Sequence, residues 1–235
     1  MLFDIEGNEF RPPHVRVAFL DLDDTITDSK TDWLWATWRA VKNPKGWVEM
    51  AWLISMYRGY NRGTLSPERL MRYHSFRAGS IHPVAFRALT LRFFLERGHR
   101  HIYPKAALLI QRQKEIGAKV VMLTAQNEMI ASPFVQKLGM DDLIASHLEL
   151  KDTRFGNPIE PYCYGKGKIF WAKKYLKIND VKIEECAFYS DSINDLPLLE
   201  MVGHPVVVNP DALLEDEAVQ NKWPILRFAR PTPNR

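Results

Sequence analysis

The sequence is poor in cysteine and has no long apolar run. Cys163 and Cys186 are the two cysteines among 235 residues, and neither belongs to a Cys-x-x-Cys pair, which argues against a disulfide framework and against zinc or redox sites of that type. The most membrane-like stretch, residues 47–57, contains Glu49 and is much shorter than the roughly 20 apolar residues of a spanning helix. Residues 1–13 are acidic and carry few apolar side chains, unlike a secretory signal. We therefore expect a protein of the reducing cytoplasm.

Short apolar runs alternate with helical segments along much of the chain. Apolar residues make up 46% of the sequence, enough to fill a core, and the length suits one domain with a substantial insertion. The apolar runs predict strands at residues 16–22, 119–124, 186–189 and 205–208, with helices between most of them. This alternation favours an α/β fold with a doubly wound parallel sheet.

Residues 33–100 break this alternation. They are rich in helix formers, aromatic residues and arginines, show no strand pattern, and are punctuated by glycine and proline turn signals, which predicts about four helices. An all-helical block directly after the first strand is typical of an insertion at the carboxyl end of that strand. We therefore predict a core formed by residues 1–30 and 103–235, with a helical cap formed by residues 31–102.

The predicted insertion is basic, whereas the rest of the chain is acidic. Residues 34–105 contain 13 lysines and arginines against three acidic residues, a net charge of +10 in a chain whose total is +4. A field of this sign would attract phosphate esters, nucleic acid or anionic lipid headgroups. A solvated helical surface explains the same pattern equally well.

Acidic side chains follow the first predicted strand, in the segment DLDDT of residues 21–25. Residues i and i+2 of an extended segment point to the same side, so Asp21 and Asp23 are expected to face one pocket. Because the carboxyl ends of neighbouring parallel strands converge, Thr124 and Asp191 should line the same crevice. Carboxylate oxygens are ligands that suit Mg²⁺. Taken alone, the segment is explained more simply as an acidic turn.

Two further residues have more than one interpretation. Asp195 follows Asp191 by one helical turn, and capping of the next helix explains it as well as a supporting role beside a metal does. Lys168 ends a Gly-Lys-Gly-Lys segment, but Ile169 stands where a nucleotide-binding P-loop needs Ser or Thr. Lys168 is therefore either an ordinary surface lysine or a residue that brings positive charge to a phosphoryl group.

Taken together, the order and spacing of these residues resemble the four motifs of the haloacid dehalogenase superfamily. The matching positions are residues 21–25, Thr124 after the next strand, Lys168, and the DSIND run of residues 191–195. The helical block after the first motif is similar to the phosphoserine-phosphatase-like branch. The resemblance covers roughly residues 15–210, and it implies a Rossmann-like core with a helical cap and Mg²⁺-dependent hydrolysis of phosphate monoesters.

The resemblance also implies a role for each matching residue. Asp21 would attack phosphorus and form an aspartyl phosphate, while Asp23 would protonate the leaving alcohol and later accept a proton from water. The implied metal-site residues are Asp21, Asp23 through its backbone carbonyl, Asp191 and Asp195. The implied phosphate-binding groups are Thr124, the Ala125 amide, Lys168 and Asn194.

One position departs from the phosphoserine phosphatase pattern. Those enzymes have a glutamate nine residues after the nucleophile that binds the substrate ammonium, whereas this chain has Lys30. A lysine there would repel an ammonium group, so the expected substrate is another small phosphorylated metabolite or a headgroup phosphate. Ser190 and Ser192 replace the glycines of many relatives, a change that is expected to matter little.

Other functions fit parts of this pattern. A dehalogenase has no leaving alcohol to protonate and does not need Asp23, and a phosphomutase would transfer the phosphoryl group instead of releasing it. A non-enzymatic basic module is least favoured, and we expect no nucleic-acid partner, because every catalytic position is filled. For the aromatic residues of the insertion, among them Trp33, Trp35 and Trp47, packing within a helical bundle is favoured over peripheral contact with a membrane.

Overall fold

The computed structural model describes residues 1–61, 65–79, 81–151 and 153–229, apart from the side chains of residues 57–61. The strands are β1 (Val17–Leu20), β2 (Lys119–Asn127), β3 (Asp142–Ser146), β4 (Leu148–Lys151), β5 (Arg154–Pro158), β6 (Cys186–Ser190), β7 (His204–Val208) and β8 (Ile225–Leu226). The α-helices are α1 (Thr31–Ala40), α2 (Lys45–Asn61), α3 (Pro67–Ala78), α4 (Pro83–Glu96), α5 (Pro104–Glu115), α6 (Glu128–Leu138), α7 (Lys166–Ile178), α8 (Leu196–Leu199) and α9 (Ala212–Gln220).

Six strands form a parallel sheet in the order β3-β2-β1-β6-β7-β8. The central strand β1 pairs with β2 on one side and β6 on the other, with Phe19 opposite both Val121 and Phe188. All four residues of β1 are buried, as expected for a strand that is covered on both faces. The strands β4 and β5 form a separate antiparallel hairpin. The predicted doubly wound parallel sheet is confirmed.

Different apolar clusters cover the two faces of this sheet. Val17 and Phe19 belong to a cluster that includes residues of α7, α8 and α9, whereas Ala18 and Leu20 belong to one that includes residues of α5 and α6. Successive β1 side chains therefore alternate between the faces, as the two-residue period of a strand requires. This double covering holds the carboxyl end of β1 in a fixed position.

The four helices α1 to α4 lie between β1 and β2 in the sequence, and the described part of this segment contains no strand. They pack around Trp35, whose ring centroid lies 5.3 to 5.7 Å from those of Trp38, Phe86 and Phe93. Trp35 and Trp38 are buried as predicted, but Trp47 is 63% exposed on α2 and does not pack in the bundle. Among the helices that the structure describes, none is both long enough and apolar enough to cross a membrane.

Three features differ from the sequence-based expectation. Strand β2 continues beyond Thr124 to Asn127, whose side chain accepts a hydrogen bond from the Met129 N–H at 3.0 Å and so caps α6. The sequence predicts one short segment near residues 144–150, where the structure has β3 and the β4–β5 hairpin. The helix α9 and the strand β8 extend the fold at the C-terminal side, and a strand of two residues is too short to give a hydrophobic period in the sequence.

Candidate active site

The carboxyl ends of β1 and β6 bring two acidic segments together. These strands are neighbours, and the chain continues from them toward opposite edges of the sheet, which is where open α/β sheets bind ligands. The Asp21 N–H donates to the Tyr189 carbonyl at 3.0 Å across the strand ends. Asp191 follows β6, and the Thr25 hydroxyl donates to its Oδ1 at 3.4 Å. The segments that begin with Asp21 and Asp191 therefore lie side by side.

Lys168 is a buried ammonium group held between two carboxylates. Its Nζ donates to Asp21 Oδ1 at 2.8 Å and to Asp195 Oδ2 at 2.7 Å. Burial alone would lower the pKa of Lys168, but the negative charges of Asp195 and Asp21 raise it above its ordinary value. Lys168 is therefore positively charged at neutral pH, and its interpretation as a surface lysine is wrong.

Two glycines at the start of α7 allow the backbone path that places Lys168 beside Asp21. Gly165 precedes the helix with φ of 52°, in the region that favours glycine. A Cβ atom on Gly167 would lie 1.7 Å from the Tyr162 carbonyl oxygen, so the chain passes too close there for any other residue. Lys168 follows directly, in the first turn of α7.

The carboxylate of Asp195 holds Lys168 and does not cap the helix that follows. Its Oδ2 accepts from Lys168 and also from the Ser190 hydroxyl at 2.6 Å. The side chain makes no capping hydrogen bond to α8, so the capping interpretation is wrong. Ser192 similarly accepts from Asn194 Nδ2 at 2.9 Å. The two serines therefore make contacts that glycines would lack.

Asp23 is held by the first residue of the helical insertion. Its Oδ1 accepts a hydrogen bond from the backbone N–H of Thr31 at 2.7 Å, at the start of α1. Burial, and to a lesser extent repulsion from Asp32, raises the pKa of Asp23 to about 7. A carboxyl group in this range can both donate and accept a proton near neutral pH.

The acidic cluster fits a divalent cation. Burial raises the pKa of Asp21 and raises that of Asp191 well above its usual range, and the repulsion between these carboxylates adds to the shift of Asp191. Such a cluster is unfavourable unless a cation offsets the charge. In the described part of the chain, no three His, Cys, Asp or Glu side chains converge as a metal site. Lys168 already contacts Oδ1 of Asp21 and Oδ2 of Asp195, which leaves the other oxygen of each and the carboxylate of Asp191 as oxygen ligands of the kind that suit Mg²⁺.

A cavity of about 70 Å³ lies over these groups, enough for a few water-sized groups. The predicted catalytic and phosphate-binding residues all line it: Asp21, Asp23, Thr124, Ala125, Lys168 and Asn194. Asp195 lines it too, whereas Asp191 lies outside the lining. Apolar side chains of the insertion form much of the rest of the wall: Trp33, Leu53, Met56, Leu65 and Leu70.

Lys30 lines this cavity but is paired with a neighbouring carboxylate. Its Nζ lies 2.7 Å from Asp24 Oδ2, and its side chain is largely buried. The positive charge predicted to repel an ammonium group is therefore balanced locally by Asp24, which weakens that argument against ammonium-bearing substrates.

A buried polar network beside Asp23 was missed by the sequence analysis. Gln126 Nε2 donates to Thr31 Oγ1 at 2.7 Å and to Asp32 Oδ1 at 2.8 Å, and its Oε1 accepts from Arg77 at 2.7 Å. Arg77 is fully buried and also donates to Asp32. The one sequence signal for Gln126 is its position two residues after the predicted phosphate-binding threonine. Arg77 looked like part of a basic surface.

Comparison with known proteins identifies the family. The haloacid dehalogenase-like hydrolase family matches residues 18–200. A histidinol-phosphatase of Neisseria meningitidis is 32% identical over 221 residues, covering 90% of this chain and 98% of that protein. A probable phosphatase of Mycobacterium tuberculosis is 39% identical over 134 residues, which cover 57% of this chain but only about half (47%) of the relative.

Solved structures agree on the fold. A Bordetella pertussis protein of unknown function has a TM-score of 0.81 at 25% identity, covering 90% of this chain and 97% of that one. A phosphoserine phosphatase in the form of a phospho-aspartyl intermediate analogue has a TM-score of 0.67 at 17% identity, covering 92% and 94%, a likeness that concerns the fold alone. The chain belongs to the haloacid dehalogenase-like hydrolase family, which is a family of enzymes. The relatives of this chain that carry a functional name include phosphatases. The predicted family membership is confirmed.

Proposed function

We propose that the protein is a Mg²⁺-dependent phosphomonoesterase that acts on a small phosphorylated substrate through an aspartyl phosphate at Asp21. The observation that carries the proposal is the contact of Lys168 with Asp21 inside a cavity that Asp23 also lines. The names of the relatives, which include a histidinol-phosphatase, support the same reaction class. The proposal treats residues 31–102 as a cap over a core of residues 1–30 and 103–235, because side chains from both parts line the cavity.

The proposed reaction has two steps, and both carboxyl groups take part in each: Asp21 carries the phosphoryl group and Asp23 transfers the proton. A carboxylate oxygen of Asp21 attacks phosphorus while the bond to the ester oxygen breaks, and Asp23 gives its proton to the departing alkoxide. Water then attacks phosphorus and gives a proton to Asp23 as the bond to Asp21 breaks. Inorganic phosphate leaves, and both carboxyl groups return to their starting states.

The remaining polar groups of the cavity are proposed to hold the phosphoryl oxygens. Tyr164 donates to Asn194 Oδ1 at 2.7 Å, which fixes the orientation of that amide. Negative charge that develops on the phosphoryl oxygens is stabilised by groups already held in place. The groups assigned to this role are the Thr124 hydroxyl, the Ala125 N–H, the Asn194 amide and the Lys168 ammonium.

Asp21, Asp191 and the backbone carbonyl of Asp23 are proposed to hold Mg²⁺, with Asp195 supporting the site through Lys168 and Ser190. The bound cation would supply charge neutralisation for the anionic nucleophile and the phosphate ester. Without such neutralisation, the carboxylates would repel a dianionic substrate.

Release of inorganic phosphate from p-nitrophenyl phosphate tests the proposal. Activity should require Mg²⁺, disappear with EDTA, and fall by several orders of magnitude in Asp21→Asn, as loss of a covalent nucleophile does. Asp216→Asn is the matched control, since Asp216 is exposed on α9 away from the cavity. Near wild-type turnover by Asp21→Asn, or full activity in EDTA, would overturn the proposal. Transfer of the phosphoryl group to a second alcohol without phosphate release would indicate a phosphomutase.

A further inference from the structure

The helical insertion contributes a buried histidine to the wall of the cavity. His74 lies on α3, is 1% exposed, and is among the residues that line the cavity. Neither of its ring nitrogens has a hydrogen-bond partner within the described residues. Because buried polar groups are nearly always hydrogen-bonded, a bound molecule that contacts His74 would explain the missing partner.

The carboxylate of Asp32 lies beside this imidazole. Asp32 Oδ2 is 3.6 Å from His74 Nε2, beyond hydrogen-bond distance, and Asp32 also lines the cavity. The other oxygen, Oδ1, is already occupied by Gln126 and Arg77. Asp32 and His74 therefore lie together on the cavity wall, and neither ring nitrogen of His74 has a protein hydrogen bond within the described residues.

The charges around this pair select against an anionic group. Arg77 neutralises Asp32 but is fully buried and does not line the cavity, so it is not available to a ligand carboxylate. Burial, and to a lesser extent the nearby charge of Arg77, lowers the pKa of His74. The imidazole is therefore uncharged at neutral pH. A neutral imidazole carries one N–H and one unprotonated nitrogen. With the N–H on Nε2, which faces Asp32 Oδ2, the unprotonated Nδ1 and the carboxylate oxygen are the acceptors of this pair, so the group that satisfies them is a hydrogen-bond donor.

The other residues of the insertion that line the cavity are apolar, and the cavity of about 70 Å³ is small. We infer that His74 and Asp32 form a specificity subsite for a hydrogen-bond donor on the leaving alcohol. The substrate class is then a phosphate monoester of a short, otherwise apolar alcohol that carries a second hydroxyl or an ammonium group. This inference rests on the proposed phosphatase function of the same cavity.

The test compares kcat/KM, in the presence of Mg²⁺, for three series of phosphate monoesters with chains of two to four carbon atoms. One series ends in a hydroxyl, one in an ammonium and one in a methyl group of matched size. For at least one of the chain lengths, the wild type should prefer a donor-bearing ester over its methyl analogue by about tenfold or more in kcat/KM. The reason is that a site built around polar groups rejects an analogue that leaves them unpaired. The hydroxyl and ammonium series identify which donor the subsite takes.

Variants of His74 assign the preference to the subsite. His74→Phe should reduce the ratio of donor-bearing to methyl ester to within about twofold, and His74→Gln, which retains a hydrogen-bonding side chain, should keep part of it. The control is His82→Asn, because His82 is an exposed cap of α4 and asparagine is a good capping residue. This control should keep the wild-type ratio.

The possible failures are distinguishable. A wild type that hydrolyses p-nitrophenyl phosphate but shows no donor preference at any chain length would overturn the subsite alone. An undiminished preference in folded His74→Phe would do the same. If His74→Phe fails to fold, the wild-type series and His74→Gln still decide the question. If no phosphate ester is hydrolysed, the proposed function itself fails.

Discussion

The backbone N–H of Thr31 donates a 2.7 Å hydrogen bond to Oδ1 of Asp23 and ties the turn after β1 to the first residue of the helical insertion. The next residue, Asp32, lines the cavity next to His74. The carboxyl group proposed to move the proton and the wall proposed to contact the leaving alcohol are therefore joined through one helix end. Under this proposal, substrate contacts in the insertion would act on Asp23 through the Thr31 N–H.

Asp23→Asn should affect substrates according to their leaving groups. Alkyl phosphates, whose alkoxides need a proton in the transition state, should lose about 10²- to 10⁴-fold in kcat, the usual contribution of a general acid. The loss for p-nitrophenyl phosphate should be clearly smaller, because its leaving group is a weak base. Steady-state rates for both substrate types provide the measurement. Equal losses would mean that Asp23 acts mainly through the metal or the structure.

Gln126→Ala should weaken the connection between Thr31, Asp32 and Arg77. We expect a decrease of about 1 to 3 kcal/mol in the free energy of unfolding, because buried partners lose their hydrogen bonds. The kcat for alkyl phosphates should fall about tenfold as Asp23 loses its fixed position, with a smaller fall for p-nitrophenyl phosphate. Gln111→Ala, at an exposed position on α5, is the control. Unchanged kinetics in Gln126→Ala would refute a positioning role.

Arg77→Met should destabilise the protein in a pH-dependent way. Burial alone would raise the pKa of Asp32, but the positive charge of Arg77 holds it well below its ordinary value. This stabilisation is therefore complete above the ordinary aspartate pKa of about 3.9 and is lost as the pH falls below it. Removing Arg77 leaves a buried carboxylate uncompensated, so the loss in unfolding free energy should be about 3 to 5 kcal/mol at pH 7.

Urea unfolding between pH 7 and pH 3.5 measures this effect. The difference in unfolding free energy between wild type and Arg77→Met should narrow toward the acidic end. Without Arg77, burial raises the pKa of Asp32, so the variant takes up a proton there and loses its uncompensated charge at a pH where the wild-type carboxyl is still ionised. Arg92→Met is the control, since Arg92 forms an exposed pair with Glu96 in the same insertion and should change the unfolding midpoint little. A difference in unfolding free energy that is constant with pH would show that Arg77 acts through packing and not through the charge of Asp32.

Lys168→Met should abolish most phosphatase turnover while Lys166→Met does not. Both lysines lie in the first turn of α7, but Lys168 is buried against Asp21, whereas Lys166 is exposed. Loss of a preorganised charge at a phosphoryl group is expected to reduce kcat by about 10²- to 10³-fold. Turnover measurements on the two variants make the comparison, and equal activities would contradict the proposed role of Lys168.

Residues placed by short-range geometry were predictable from the sequence. Asp21 and Asp23 are two residues apart after a buried strand, Thr124 lies near the carboxyl end of the next strand in the sheet, and Lys168 stands at the position of the matching lysine motif of the family. All four line one cavity. Strand order and spacing therefore sufficed to predict that Asp21, Asp23 and Thr124 meet at one cavity, whereas the position of Lys168 was implied by the family resemblance; the catalytic roles of these residues are part of the proposal.

The side of the cavity formed by Asp32 and His74, which is proposed to contact the leaving alcohol, was not predictable in the same way. His74 and Arg77 come from α3 and meet Asp32 of α1 only through packing of the insertion. Neither residue belongs to a local pattern, and the net charge of the insertion suggested a basic surface although Arg77 is fully buried. The same difficulty applies to Trp47, which belongs to an aromatic-rich segment but is exposed.

The most direct test of the central claim is chemical trapping of the intermediate. Enzyme turning over p-nitrophenyl phosphate with Mg²⁺ is quenched in acid within milliseconds and treated with borohydride, which reduces an acyl phosphate to the alcohol and so converts the modified aspartate to homoserine. Peptide mass spectrometry should find homoserine at position 21, and none in enzyme quenched without substrate. Homoserine at another aspartate, or a pre-steady-state burst of p-nitrophenol without reducible acyl phosphate at Asp21, would contradict the proposed mechanism.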